Sequence, residues 1–94
     1  MGIKKLNYMK FRDIKFDSDL DGDFERKWAR VDLDNGMNVS IVQNKQSCGG
    51  NEGLYEMGVF RGGRMIEVEK WQDSIIGWCS PAEIEKELKH LKEL

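Results

Sequence analysis

Side chains that could perform nucleophilic or metal chemistry are few in this sequence. The chain of 94 residues has two cysteines, Cys48 and Cys79, and one histidine, His90. A catalytic cysteine needs a base beside its thiolate, whereas His90 lies between Leu88 and Leu91 on a predicted helix. Structural zinc needs about four Cys or His ligands, which these side chains cannot supply. We therefore expect a protein that is not an enzyme and that uses no metal or other cofactor.

Carboxylates are abundant, with 17 Asp and Glu residues, and abundance alone identifies no catalytic pair. The densest run places aspartates at alternate positions in residues 17–23, as in a calcium-binding loop. That loop needs a bidentate Glu at its twelfth position. A count from Asp17 finds Trp28 there, and a count from Asp13 finds Phe24. We therefore expect a solvated turn at residues 17–23.

Three features of the sequence could bind an anionic ligand such as a nucleotide. Glycine loops present backbone N–H groups to anions, arginines make bidentate contacts with phosphate, and aromatic rings stack on bases. The candidate ligand-binding residues are Ser47, Gly49, Gly50, Arg61 and Arg64, with Tyr55 and Trp71 as rings that we expect to be exposed. The ordinary alternative is that the glycines make turns and the rings pack in a core. The sequence is therefore compatible with nucleotide binding and with protein binding.

The charge balance limits the partners further. The formal net charge is −2, so the basic excess typical of nucleic-acid-binding domains is missing. A weaker nucleic-acid hypothesis uses a basic group beside the acidic run, formed by Arg12, Lys15, Arg26, Lys27 and Arg30 with Trp28. No window approaches the roughly 20 apolar residues that span a bilayer, and the first residues lack the apolar run of a signal peptide. We therefore expect no membrane partner and a location in the cytosol, with both cysteines as thiols.

Two β-hairpins are predicted from alternating apolar and polar residues, after a first strand at residues 11–16. The first hairpin turns at Asn35-Gly36, and a three-residue loop with Gly36 in the left-handed conformation matches apolar with apolar side chains. That register pairs Leu33 with Met37, Val31 with Val39 and Ala29 with Ile41. The second hairpin turns at Gly62-Gly63 after a polar loop at residues 43–53. Its register pairs Phe60 with Met65, Val59 with Ile66, Met57 with Val68, Arg61 with Arg64 and Glu56 with Glu69.

The chain ends in a predicted helix. Ser80-Pro81-Ala82-Glu83 is typical of a capping box with proline in the first helical position, and an apolar stripe follows at helical spacing. The short apolar segment at residues 75–78 could be a strand or a turn. Together these elements predict one α+β domain over residues 1–94. It comprises an N-terminal segment at 1–10 that is a short helix or flexible, an antiparallel sheet of about five strands at 11–71, and a helix at 80–94 packed on the sheet.

The order of the motifs resembles a family of small bacteriophage proteins. The motifs of that family are a strand of the form NG-x-x-x-S-V/I-V, a loop of the form GG-x-x-GLYE and a segment of the form D-x-V/I-IG-W/Y before the final helix. Here they match Asn35–Val42, Gly49–Glu56 and Asp73–Trp78. The resemblance covers residues 30–94, implies a viral source and carries no catalytic residues.

A viral source favours binding as the mode of action, by analogy with other small non-enzymatic phage proteins. We expect a protein that counteracts a host anti-phage defence system, by sequestering a signalling nucleotide or by inhibiting a host protein through direct contact. A nucleotide site of this kind could be completed across a homo-oligomer interface. An accessory role in the virion or in replication is the remaining alternative.

Overall fold

The computed structural model describes residues 9–94, and the first eight residues of the predicted N-terminal segment lie outside this range. The predicted α+β class, with one antiparallel sheet and one C-terminal helix, is confirmed. Six strands form the sheet: β1 Asp17–Asp21, β2 Phe24–Asp32, β3 Met37–Gln43, β4 Tyr55–Arg61, β5 Arg64–Met65 and β6 Ile75–Cys79. The helix α1 spans Pro81–Lys92, and short 3-10 turns occupy Phe11–Asp13 and Gly50–Glu52.

The first strand begins later than predicted. Residues 11–13 form a 3-10 turn, and β1 lies in the acidic run that was expected to be a solvated turn. The aromatic rings of Phe11 and Phe16 explain the shift, because both pack against the ring of Tyr55, with centroids 5.5 Å and 5.4 Å away. The apolar positions of residues 11–16 therefore close the end of the core. The aspartates of β1 lie at an edge of the sheet, where charged side chains remain solvated.

The first hairpin of the prediction is confirmed in its register. Ala29 pairs with Ile41 and Val31 pairs with Val39, and the N–H of Leu33 donates to the carbonyl of Met37 at 2.8 Å. Gly36 has a φ of 90°, which is the left-handed conformation that this turn requires. These strands continue into β4, which pairs with β3 along its length.

The second hairpin is confirmed only next to its turn. Phe60 pairs with Met65 and Arg61 with Arg64, but the predicted pairs Met57–Val68 and Glu56–Glu69 are wrong. The chain leaves the ladder after residue 66, and β6 takes its place, with Ile76 opposite Met57. This exchange buries Cys79 and leads the chain directly into the helix. The sheet therefore extends to residue 79, beyond the predicted limit at residue 71.

One face of the sheet carries the helix, and we call it the inner face. Its buried side chains come from alternate positions of β2, β3 and β4, namely Ala29, Val31, Met37, Val39, Ile41, Tyr55, Met57 and Val59. The helix contributes Ile84, Leu88 and Leu91 to the same core. The predicted capping box is present, because Glu83 N–H donates to Ser80 Oγ and Ser80 N–H donates to Glu83 Oε1. No helix within residues 9–94 has the length and apolarity needed to cross a membrane.

Candidate binding face of the sheet

The residues that the sequence singled out for ligand binding lie in separate places. The loop with Ser47, Gly49 and Gly50 adjoins the start of β4, whereas Arg61 and Arg64 lie at its far end. A strand rises about 3.3 Å per residue, so the length of β4 places about 20 Å between the two groups. Within one chain they do not form a common site.

The glycine loop has a structural explanation of its own. Ser47 Oγ accepts a hydrogen bond from Asn44 N–H at 2.9 Å and donates to the Asn44 carbonyl at 3.0 Å. A Cβ atom added to Gly50 would collide with that same carbonyl oxygen. The 3-10 turn that follows then brings Leu54 N–H within 2.9 Å of the carbonyl of Gly49. This backbone packing requires the small residues, whether or not the loop binds an anion.

The two aromatic rings expected to be exposed are both engaged within the protein. Tyr55 is buried between the rings of Phe11 and Phe16. Trp71 is half-buried, and its indole N–H donates to Glu87 Oε1 at 2.8 Å. Their expected exposure was wrong, because β4 directs Tyr55 to the inner face and Glu87 holds Trp71 against the helix.

Arg61 and Arg64 are exposed and lie opposite each other across the β4–β5 turn. No carboxylate among residues 9–94 lies within 4.0 Å of either guanidinium group. Two unpaired guanidinium groups at one turn can attract an anion. Neither arginine lines the cavity beside α1 or the depression formed by Phe60, Met65 and Ile75.

Neither cysteine has the environment of an activated nucleophile. The exposed Cys48 lies beside Glu56, whose carboxylate raises the pKa of the thiol. Burial raises the pKa of Cys79 to about 11. A raised pKa lowers the fraction of the reactive thiolate at neutral pH.

The face of the sheet opposite the helix, which we call the outer face, carries large apolar side chains that no element within residues 9–94 covers. Three of them are exposed: Trp28 at 40%, Met65 at 46% and Ile75 at 36%. Val42 and Phe60 lie between them and are half-buried. The pairings Trp28–Val42, Phe60–Met65 and Gly58–Ile75 place these residues on one continuous surface. A surface of this kind stands in contrast to the scattered single apolar residues of ordinary protein exteriors.

Gly58 forms the floor of a shallow depression in this surface. The depression has a volume of about 150 Å³ and is lined by Ser40, Val42, Glu56, Gly58, Phe60, Met65 and Ile75. The side chains of Met65, Phe60 and Ile75 lie between 3.5 and 3.9 Å from the position that a Cβ atom of Gly58 would take. A larger residue here would fill the depression, so Gly58 keeps the centre of the outer face open.

Charged residues border the apolar surface. Arg26 forms a two-point salt bridge with Asp19, with distances of 2.6 and 2.5 Å, which lowers the pKa of Asp19. Arg30 lies over the ring of Phe60, with 5.3 Å between the guanidinium carbon and the ring centroid. Asp17, Asp32 and Glu56 share this face, and no lysine or arginine of the described chain lies within 4.0 Å of them.

Trp78 lies at the edge of the same surface in an unusual backbone conformation. Its φ is 59°, a value that bulky residues adopt only at a cost. The cause is a bulge in β6, where Gly77 and Trp78 together stand opposite Glu56. The bulge is held by the N–H of Trp78, which donates to the carbonyl of Cys48 at 3.1 Å. Trp78 is 57% exposed, and in the strand register it stands opposite Glu56.

The sequence does contain a signal for the outer face. In β3 the residues that point away from the core are Asn38, Ser40 and Val42, and an apolar residue at the third position departs from the polar pattern of a solvated face. Trp28 and Phe60 occupy the corresponding outward positions of β2 and β4. Apolar residues in both phases of three neighbouring strands could have indicated a second contact surface. The sequence hypotheses instead place Trp28 with a group of basic residues and use Phe60 only to set the register of the second hairpin.

No protein-family model, curated protein or solved structure matches the chain.

Proposed function

We propose that this chain is a non-enzymatic, phage-encoded binding protein that inhibits a host protein of an anti-phage defence system by direct contact through the outer face. The observation that carries the proposal is the continuous apolar surface of Trp28, Val42, Phe60, Met65 and Ile75, opposite the helix-covered face. The phage origin comes from the resemblance of the sequence motifs, and the defence setting comes from analogy with other small non-enzymatic phage proteins.

The composition of the outer face supports protein binding. Trp, Phe, Met and Arg are enriched at the centres of protein–protein interfaces, and Trp and Arg are prominent among the residues that dominate binding energy. Here Trp28, Phe60, Met65 and Arg30 lie together on strands of a sheet that the inner core holds rigid. A rigid surface reduces the entropy lost on association. The outer face thus presents residues that are typical of protein interfaces on a sheet that is packed against the core on its other side.

Nucleotide sequestration is a second candidate, and one observation favours it. Arg61 and Arg64 form an exposed pair of cations without a carboxylate partner among residues 9–94. Titration of a nucleotide mixture into the wild type and into Arg61→Ala and Arg64→Ala tests this candidate by calorimetry. Loss of binding in both folded variants supports sequestration, and unchanged binding removes the pair from the site.

The experiment that tests protein binding uses one outer-face variant and a matched control. Val42→Lys places a charge at the centre of the outer face, whereas Ala82→Lys adds the same charge at an exposed position of α1. Each purified protein is immobilised and exposed to a lysate of a bacterial host. Any captured protein is then purified, and its affinity for the three forms is measured by calorimetry.

We expect a host protein that binds the wild type and Ala82→Lys equally and that fails to bind Val42→Lys. Circular dichroism of the variants checks that the sheet is retained. Equal affinity for all three forms would place the contact elsewhere and would overturn the assignment of the outer face.

A further inference from the structure

The charges of the outer face are unbalanced in a way that indicates its partner. Asp17, Glu56 and Asp32 have no cation within 4.0 Å among residues 9–94, and Arg30 is the one outer-face cation without a carboxylate partner in that range. A surface that is to be covered by a partner requires complementary charge, because an unpaired carboxylate is costly to desolvate. The partner must therefore bring positive charge to this surface.

Glu56 is the carboxylate best placed to receive such a charge. It borders the central depression, and its Oε1 accepts a hydrogen bond from Cys48 N–H at 2.8 Å. The Cys48 thiol also hydrogen-bonds to this carboxylate, but no lysine or arginine among residues 9–94 lies within 4.0 Å of it. The direction of the Cys48 pKa shift agrees with an uncompensated negative charge, since the carboxylate of Glu56 is its first cause.

Aromatic and aliphatic side chains flank Glu56 on both sides. The cross-strand row runs from Trp28 through Val42 to Glu56, and Trp78 stands on the other side of Glu56 in the bulge of β6. Neighbouring strands are about 4.8 Å apart, so Trp28 lies about 10 Å from Glu56 at the backbone. Aromatic faces attract cations, and apolar surface packs against the methylene stem of lysine or arginine. The contact of Arg30 with Phe60 is an example of the same interaction on this face.

We infer that the outer face binds a partner protein segment that inserts a lysine or arginine side chain beside Glu56, with its stem against Val42 and between Trp28 and Trp78. This inference rests on the proposed function and names the chemistry of its partner. It predicts a short segment in which apolar residues flank a basic one.

A second copy of this chain fits the same surface poorly. A two-fold dimer places the same patch of both subunits in contact, so the six copies of Asp17, Asp32 and Glu56 would share only the two copies of Arg30 as cations without a carboxylate partner among residues 9–94. Like charges brought together in this way oppose association. The same acidic border disfavours phosphate groups, and hence nucleic acid, at the outer face.

The test uses a displayed library of short random peptides as the probe. The library is selected on the purified full chain, and the enriched peptides are synthesised and titrated against three forms by calorimetry. Glu56→Gln removes the charge and retains an oxygen that can accept from Cys48 N–H. Glu69→Gln makes the same change at an exposed residue outside the outer face. Val42→Lys serves as the variant that blocks the face.

We expect enriched peptides with a lysine or arginine next to apolar residues. Their affinity should fall about tenfold or more in Glu56→Gln, since a charge-assisted contact is lost, and should be unchanged in Glu69→Gln. Peptides lost in Val42→Lys but indifferent to Glu56→Gln would overturn the cation inference and leave the proposed function standing. Peptides indifferent to both would count against the proposed function as well.

Analytical ultracentrifugation of the purified chain measures its oligomeric state and so tests whether a second copy covers the outer face. A monomer agrees with the inference. A dimer that Val42→Lys dissociates would show that a second copy covers the outer face, and it would overturn the inference of a basic partner.

Discussion

The two faces of one sheet differ in how completely their apolar residues are covered. Ile41 on the inner face is 0% exposed, and its neighbour Val42 on the outer face is only half-buried. Both are apolar, and adjacent residues of a strand point to opposite faces. Burial of Ile41 is explained by the helix, whereas nothing in the described chain covers Val42. Apolar residues on the inner face therefore serve stability, and those on the outer face are available for recognition.

The neighbours Ile41 and Val42 offer the sharpest test of this difference. Ile41→Ala removes packing from a filled core and should lower the free energy of unfolding by about 2–5 kcal/mol. Val42→Ala should cost less than about 1 kcal/mol, because the side chain is already partly solvated. Urea denaturation followed by tryptophan fluorescence measures both. Equal losses of stability would mean that the outer face is covered in solution.

This contrast also separates what the sequence predicts from what it does not. Alternation in β2 and β3 and the helical spacing of Ile84 and Leu88 predict the inner core, because one face of each element must be buried. The position of β6 could not be predicted in this way. It depends on the turn at Gln72, a non-glycine residue with a φ of 56°, and on a bulge, and neither has a distinctive local pattern.

The acidic strand β1 illustrates a different limit. Aspartate disfavours strands by its own preference, and the acidic run at residues 17–23 predicts a solvated turn rather than a strand. The strand forms because it pairs with β2, where Arg26 meets Asp19 and Trp28 lies opposite Asp17. Such pairing belongs to the tertiary structure. The candidate site was missed for a related reason, since Trp28 and Val42 lie on different strands and become neighbours only in the sheet.

A polar contact on the helix side of the sheet should contribute to the stability of the fold and have no effect on the affinity for a peptide. Glu87 is buried, and it accepts from the Trp71 indole and lies 3.1 Å from Lys70 Nζ. Glu87→Leu leaves the indole N–H without its acceptor and should cost about 1–3 kcal/mol. Glu69→Leu, at an exposed position, is the control. Thermal unfolding measures the loss, and calorimetry with a selected peptide should detect no change in affinity.

The N-terminal cap of α1 should make the stability of the fold depend on pH. Ser80→Ala should lower stability by about 1 kcal/mol. The hydrogen bond from Ser80 N–H holds the pKa of Glu83 below its ordinary value of 4.5. A lowered folded-state pKa means that the carboxylate stabilises the folded state above pH 4.5 and loses this effect as the pH falls through the folded pKa.

Comparison of the wild type with Glu83→Gln measures that contribution. Urea midpoints should differ at about pH 7 and converge as the pH falls through the lowered folded-state pKa of Glu83. A difference between the two urea midpoints that persists in acid would mean that the side chain of Glu83 stabilises the fold through its packing and not through its charge. In either case the affinity of the outer face for a selected peptide should stay constant, because the cap acts on the inner side of the sheet.

Trp78 is the residue at which stability and recognition should oppose each other. Its left-handed backbone conformation costs free energy, and its indole is 57% exposed and thus recovers little of this cost by burial. Asparagine tolerates the same conformation better. Trp78→Asn should therefore raise the free energy of unfolding by about 0.5–1 kcal/mol and weaken the binding of a basic peptide.

The two effects of Trp78→Asn are measured on the same sample, by urea denaturation and by calorimetry. Trp71→Phe is a matched control, because it removes an indole that is hydrogen-bonded to Glu87 and should destabilise the chain without affecting the peptide. A gain in stability with unchanged affinity would exclude Trp78 from the contact surface. A gain in stability together with a loss of affinity would indicate that the bulge of β6 is maintained to present this side chain beside Glu56.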